Sequence, residues 1–260
     1  MTEPSSHYTE VNSLRLHYLE AGEGEPVLLI HGFPTSSHLY RNILPELAKT
    51  HRAIAIDLPG YGLSDKPLDA KYNFTFYESI LEGFLDALDI HDTDLVVHDL
   101  GGPVGMFWAV RHPQRVKNIV LLNTLVYPET SWAVKLFLLA LRTPGLRDFL
   151  VSPKGLVGAM QFGVVHKDRL NREVLTPYTA PFESPAARQA LIKAGSGLSH
   201  PSKSAPASAR TLRNPALPRR RQPDQNKQTA PPSPHEPAHA TQATHTSDAR
   251  RPASSSHPPR

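Results

Sequence analysis

The sequence predicts an α/β fold built on a mostly parallel sheet with helices on both faces, and three observations carry that prediction. Apolar runs of strand length occur at Pro26 to His31 (PVLLIH), His51 to Asp57 (HRAIAID), Leu95 to Val97 and Val116 to Asn123 (VKNIVLLN). A strand that is apolar on both sides is buried on both sides, as in the interior of a parallel sheet. Segments with helical spacing separate the runs, Phe74 to Leu88 carrying Phe76, Ile80, Phe84 and Leu88 on one face. The runs end in His31-Gly32-Phe33, Asp57 and Asp99, and reactive groups collect at such strand ends in open parallel sheets.

Taken in order, the first residues, Met1 to Glu10, are polar. Val11 to Glu20 alternates, with Leu14, Leu16 and Tyr18 on one side, and predicts a half-exposed antiparallel strand near a sheet edge. Pro26 to His31 is the first buried strand. After it, Thr35-Ser36-Ser37 is a capping cluster for a helix expected to reach Lys49. His51 to Asp57, the second buried strand, leads into a glycine-rich loop, Leu58 to Asp65 (LPGYGLSD). Gly60 and Gly62 are expected there at positive φ, and Asp57 as an acceptor that orders the loop. Leu95 to Gly105 (LVVHDLGGPVG) reads as a short buried strand, a sharp turn at His98-Asp99-Leu100, and a helix running to His112 with Trp108 in the core. Small residues at Val97, Gly101 and Gly102 let the chain turn tightly enough to expose Asp99, the geometry of a nucleophile elbow. Most such turns carry serine; this one carries a carboxylate.

The 260 residues suffice for one α/β domain and not for two. Absence of cysteine excludes a disulfide framework and a thiolate metal site. No clustered His/Asp/Glu spacing points to a metal, and the glycine-rich stretches lack the lysine of a phosphate loop, so no metal or cofactor is expected. The richest apolar run, Trp132 to Leu141, is short and contains Lys135, so no membrane partner is expected. With no secretory leader in the first residues, the expected location is cytoplasmic.

Residues 198–260 differ sharply from the rest. They hold ten Lys/Arg against three Asp/Glu, a net +7 that leaves −3 on residues 1–197. They also hold twelve of the 26 prolines, no aromatic residue and only three leucines. Such a segment buries too little apolar surface to offset its ordering entropy, and a disordered tail is expected. It admits three interpretations: an arm for nucleic acid or a membrane surface seeded by Arg219-Arg220-Arg221, a solvated tail, or an out-of-frame translation. The last fits the abrupt change of composition best, and a nucleic-acid partner is not expected.

Three motifs in register, HGFP (His31 to Pro34), DLPGYGLSD (Asp57 to Asp65) and VVHDLGG (Val96 to Gly102), resemble the α/β-hydrolase family. The Asp elbow is similar to its haloalkane dehalogenase and epoxide hydrolase branch. The resemblance extends through a helical cap, including LTPYTAPF (Leu175 to Phe182), and stops near Gly197. It implies a core over residues 1–126, a cap over 127–197 and the tail over 198–260. It also implies covalent hydrolysis of a small-molecule haloalkane or epoxide: Asp99 attacks an electrophilic carbon, and water then cleaves the alkyl ester. Backbone N–H groups of Phe33 and Leu100 match the family's oxyanion donors.

Two departures bear on the substrate. Dehalogenases usually hold the halide with a tryptophan after the nucleophile and a polar side chain at the position of Phe33; here Leu100 and Phe33 stand there. Epoxide hydrolases use cap tyrosines, for which Tyr127 and Tyr178 are candidates. Trp132 is a candidate pocket residue, and His31 and His98 flank the site, His31 as an organiser of its loop. A larger departure is that the family's histidine and acid follow the cap, where this chain has only tail histidines, so no catalytic histidine is identified. An earlier acid position matches Asn123, with Glu129 a possible substitute. The last strands of the fold are expected to be missing, leaving Val116 to Leu122 with an unpaired apolar edge. The alternative is an inactive fragment or a binding protein with a basic tail.

Overall fold

The computed structural model describes residues 3–124, 132–162 and 164–198. It begins with a hairpin: β1 (Ser5–Val11) and β2 (Leu14–Ala21) pair antiparallel from Ser5 with Glu20 to Val11 with Leu14. The turn passes through Asn12 and Ser13 at φ 52° and 62°, two left-handed residues whose twist matches that of the paired strands. The single strand expected over Val11 to Glu20 is therefore two strands with a turn near its start. β1 lacks an apolar pattern because it is the sheet edge and is exposed along most of its length.

Beyond the hairpin come β3 (Pro26–Ile30), β4 (Arg52–Ile56), β5 (Thr93–His98) and β6 (Val116–Leu122). The sheet order is β1-β2-β4-β3-β5-β6, with β2 antiparallel to β4 and the last four strands mutually parallel. The expected α/β architecture is present. Side chains of alternating strand residues divide between two apolar layers, as the period of two requires. Leu28, Ile30, Ile54, Ile56, Leu95 and Val97 face one layer; Val27, Leu29, Ala53 and Ala55 face the other, with Tyr40 and Leu44.

The first layer is closed by α2 (Phe74–Ala87) and α3 (Gly101–Arg111), through Tyr77, Ile80, Leu81, Phe84 and Trp108. Asn73 caps α2 by accepting from the Phe76 N–H at 2.9 Å. Trp108 is fully buried, and its Nε1–H donates to Glu82 Oε1 at 2.6 Å. The helix expected up to Lys49 is instead a 3-10 turn, Ser37–Tyr40, followed by a single turn, α1 (Leu44–Leu47). Pro45 has no N–H and clashes with a preceding turn, so a helix can restart there but not run through.

Five α-helices follow among the described residues: α4 (Trp132–Arg142), α5 (Leu146–Leu150), α6 (Pro153–Phe162), α7 (Arg172–Thr179) and α8 (Pro185–Gly197). Leu141, Leu156, Leu191 and Ala194 from this set, Val151 between α5 and α6, and Phe182 between α7 and α8, join the same apolar layer as α2. Trp132, a candidate pocket residue, is 78% exposed. It shares a helix face with exposed Leu136 and Leu139, opposite buried Leu141.

β6 closes the sheet on one side. Among the described residues it pairs only with β5, and Ile119, Val120 and Leu121 are 38%, 48% and 43% exposed. No helix among the described residues is long and apolar enough to cross a membrane. The described residues all fall in one compact unit, Met1–Asn214. Tyr127, Glu129 and the tail from residue 199 onward lie outside the described residues.

Candidate active site

The chain leaves β5 at His98 and enters α3 at Gly101, and Asp99 makes the turn between them with φ 50°. A non-glycine residue in the left-handed region stores strain that the surroundings must hold. Two hydrogen bonds hold it: the Thr124 hydroxyl donates to the Asp99 carbonyl at 2.6 Å, and the Gly102 N–H donates to the same oxygen at 3.0 Å. The Asp99 carboxylate is thereby aimed at the loop after β3, where the Phe33 N–H donates to Oδ1 at 2.8 Å. Leu100 is the first residue with helical φ and ψ, so the carboxylate sits at the N-terminal end of α3, where the helix dipole favours negative charge.

The two loops meet without intervening side chains. A Cβ at Gly32 would lie 2.7 Å from Asp99 Cγ and closer still to Cβ and Oδ1, and one at Gly101 would strike the carbonyls of Ile30 and His31. The small residues of HGFP and HDLGG are thus the two sides of one close approach.

His31 is completely buried behind this approach. Its Nδ1 lies 2.9 Å from the Gly32 carbonyl, and its Nε2 accepts from the Leu58 N–H at 3.1 Å. Both nitrogens are engaged in ordering loops, and burial lowers the pKa of the ring. Tyr61 packs edge-on against His31 at 5.1 Å and Phe33 at 6.4 Å. Burial, then the Asp99 charge, push the Tyr61 pKa up, so its hydroxyl stays protonated beside the carboxylate. No pattern in the sequence singles out Tyr61, an aromatic inside a loop whose glycines carry the motif.

Asp57 is a buried acceptor for three donors: the Ser37 N–H at 2.6 Å, the Leu63 N–H at 2.8 Å and His17 Nδ1 at 2.8 Å. Burial alone would raise its pKa, but the His17 bond, nearby His31 and the Leu63 N–H outweigh it and hold the carboxyl at about 2. Gly60 and Gly62 adopt φ 91° and 45° in the loop that Asp57 ties down.

The remaining candidates are placed less centrally. His98 is half-buried, with Nδ1 enclosed and without a hydrogen-bond partner among the described residues. Tyr178, buried on α7, packs edge-on against His38 at 5.1 Å and accepts from Arg41 Nη1 at 3.4 Å, so it belongs to the turn around residues 38–41. Asn123 takes φ 45° after β6. No group of three or more metal-ligating side chains occurs among the described residues.

Comparison with known proteins agrees with this geometry. Residues 25–162 match the family model for the alpha/beta hydrolase fold. A cis-3-alkyl-4-alkyloxetan-2-one decarboxylase from Shewanella oneidensis is 38% identical over 193 residues, covering 72% of this chain and 60% of the relative. A haloalkane dehalogenase from Mesorhizobium japonicum is 36% identical over 201 residues, covering 74% and 64%. The crystal structure of the haloalkane dehalogenase DbeA from Bradyrhizobium elkani superposes with a TM-score of 0.68 at 29% identity, covering 80% of this chain and 74% of that one. The chain thus spans less than two thirds of the length of the two curated relatives. It belongs to the α/β-hydrolase fold family.

Proposed function

We propose that Asp99 is the nucleophile of a covalent step at an electrophilic carbon, of the haloalkane dehalogenase type. With Oδ1 held by the Phe33 N–H, attack falls to the other oxygen: an O–C bond forms, the carbon–halogen bond breaks, halide leaves, and an alkyl ester of Asp99 remains. Carboxylates as a class are ionised near neutral pH and need no base for this step. The observation that carries the proposal is the strained Asp99 turn, which presents a carboxylate, rather than a serine, at the N-terminus of α3 and to the Phe33 N–H. The Phe33 and Leu100 N–H groups would serve the tetrahedral intermediate of ester hydrolysis.

Hydrolysis also needs a base for water. His31 has both nitrogens engaged in loop contacts, and His17 is taken up by Asp57 and Ser6. With neither of these two described histidines free for that role, the reaction of this chain is proposed to stop at the ester. Incubation with a bromoalkane followed by intact-mass measurement tests both steps. One stable alkyl adduct, absent in Asp99→Asn, is expected. Unmodified protein would overturn the nucleophile, and halide release well beyond one equivalent would overturn the stall.

A second substrate class is favoured by Phe33 and Leu100, apolar where a halide needs donors, and by the resemblance to an enzyme named for an oxetan-2-one. Opening a strained ring leaves the displaced oxygen tethered to the adduct. An oxetan-2-one or an epoxide would then add its whole mass to Asp99, whereas a bromoalkane adds only its alkyl group, and the relative rates rank the classes.

A further inference from the structure

We propose that Ser6, His17 and Asp57 form a second nucleophilic centre, a serine activated for acyl and phosphonyl transfer at the antiparallel edge of the sheet. The residues come from β1, β2 and the end of β4, three adjacent strands. Asp57 Oδ2 lies 2.8 Å from His17 Nδ1, and His17 Nε2 lies 2.9 Å from Ser6 Oγ. The proton positions follow from the donors available. Asp57 already accepts from the Ser37 and Leu63 N–H groups, and as a carboxylate it can only accept. Nδ1 of His17 therefore carries a proton, and in the neutral ring Nε2 has the lone pair and the Ser6 hydroxyl donates to it.

This is the arrangement in which an imidazole acts as general base for a serine while a buried carboxylate fixes its tautomer and stabilises the imidazolium that forms. His17 and Asp57 are buried, and Ser6 is exposed, so the base is shielded and the nucleophile is reachable. Strand register places Ser6 and Tyr8 on the same face as Arg15 and His17. The Tyr8 ring lies 5.1 Å from the His17 ring, and the Arg15 guanidinium stands 3.6 Å above Tyr8. An aromatic surface topped by a cation suits an aryl ester as the acyl donor.

In the acyl step, Ser6 Oγ bonds to the ester carbonyl carbon while its proton passes to His17 Nε2. The bond to the aryloxide breaks, and the aryloxide leaves with that proton. Water then cleaves the acyl-serine by the same route. With a fluorophosphonate, an Oγ–P bond forms, the P–F bond breaks, and fluoride leaves with the proton.

An internal comparison lies one residue away. Ser5 Oγ is 2.6 Å from His7 Nε2, but among the described residues no carboxylate pairs with His7. The test treats the full chain with a fluorophosphonate and maps adducts by peptide fragmentation that separates Ser5 from Ser6. Ser6 is expected to label at least ~100-fold faster than Ser5, the usual scale of general-base assistance. Ser6→Ala should abolish that adduct without altering bromoalkane modification of Asp99, which separates this centre from the one proposed above. His17→Gln, if it retains the native circular dichroism, should reduce Ser6 labelling to the Ser5 rate. Equal labelling of Ser5 and Ser6 in the unaltered chain, which requires no variant to fold, would overturn the proposal, as would a folded His17→Gln chain that labels at full rate.

Discussion

Replacing Gly32 by alanine should disable Asp99 without touching it. The added Cβ would lie 2.7 Å from Asp99 Cγ and nearer to its Cβ and Oδ1. Carbon atoms settle at about 3.5–4.0 Å, so one side must move by about 1 Å. Asp99 cannot yield easily, because Thr124 and Gly102 both hold its carbonyl and its φ of 50° is already strained. The displacement therefore falls on the carboxylate and on its bond from the Phe33 N–H. A misplacement of that size costs roughly 100-fold in a reaction that depends on near-attack geometry. The assay is the rate of bromoalkane adduct formation on Asp99, with circular dichroism to confirm folding. Gly158→Ala is the control: it lies exposed in α6 with nothing within 4 Å of the added carbon. That change should leave the rate unaltered and stabilise the helix by roughly 0.5–1 kcal/mol. An alkylation rate for folded Gly32→Ala within twofold of the unaltered chain would refute the close-approach reasoning.

Three further outcomes are expected. Asp57 is held at about 2 against an ordinary 3.8, a separation of about 1.8 pH units and, at ~1.36 kcal/mol per unit, about 2 kcal/mol. Because the folded value lies below the unfolded one, that stability is present above pH ~4 and lost as pH falls through about 2. Denaturant titrations of Asp57→Asn should thus show a deficit at pH 7 that shrinks below pH ~4, whereas a deficit independent of pH would contradict the charge assignment. Trp108→Phe removes the Nε1–H bond to Glu82 from a fully buried site, and should lower the unfolding free energy by about 2 kcal/mol, the range for a hydrogen bond to a charged group. Val120→Lys places a charge on the exposed apolar edge of β6, and should shift light scattering toward monodisperse protein at concentrations where the unaltered chain associates.

The fold was legible to different depths along the chain. Pro26 to Ile30 and Arg52 to Ile56 could be found from composition, since a strand covered on both faces has no polar side to confuse the pattern, and Val116 to Leu122 carries an apolar run although its side chains are exposed among the described residues. β1 could not, because an exposed edge strand carries no apolar periodicity. Its partner is chosen by hydrogen bonds to β2 across the turn at Asn12 and Ser13. The break between Ser37 and Leu47 had a local cause in Pro45, but where the helix would restart depended on burying Tyr40 and Leu44 against the second apolar layer.

For the site, sequence alone determined the identity of the nucleophile candidate and the turn that presents it. Glycines and a carboxylate after a buried strand leave few conformations open, and those constraints are local. Tertiary structure decided what Asp99 meets. Phe33 lies 66 residues away in the chain, and its N–H reaches Oδ1 only because β3 and β5 are adjacent, parallel strands whose ends fall side by side. Tyr61 joins by the same logic from the end of β4, while Trp132 is turned to solvent and Tyr178 meets Arg41. The Ser6, His17 and Asp57 contacts are decided in the same way, by the lateral order β1-β2-β4, which no spacing along the chain encodes. Residue types set which chemistry is available, and strand adjacency sets which groups share it, because hydrogen bonds act over about 3 Å and sequence neighbours in a strand point to opposite faces.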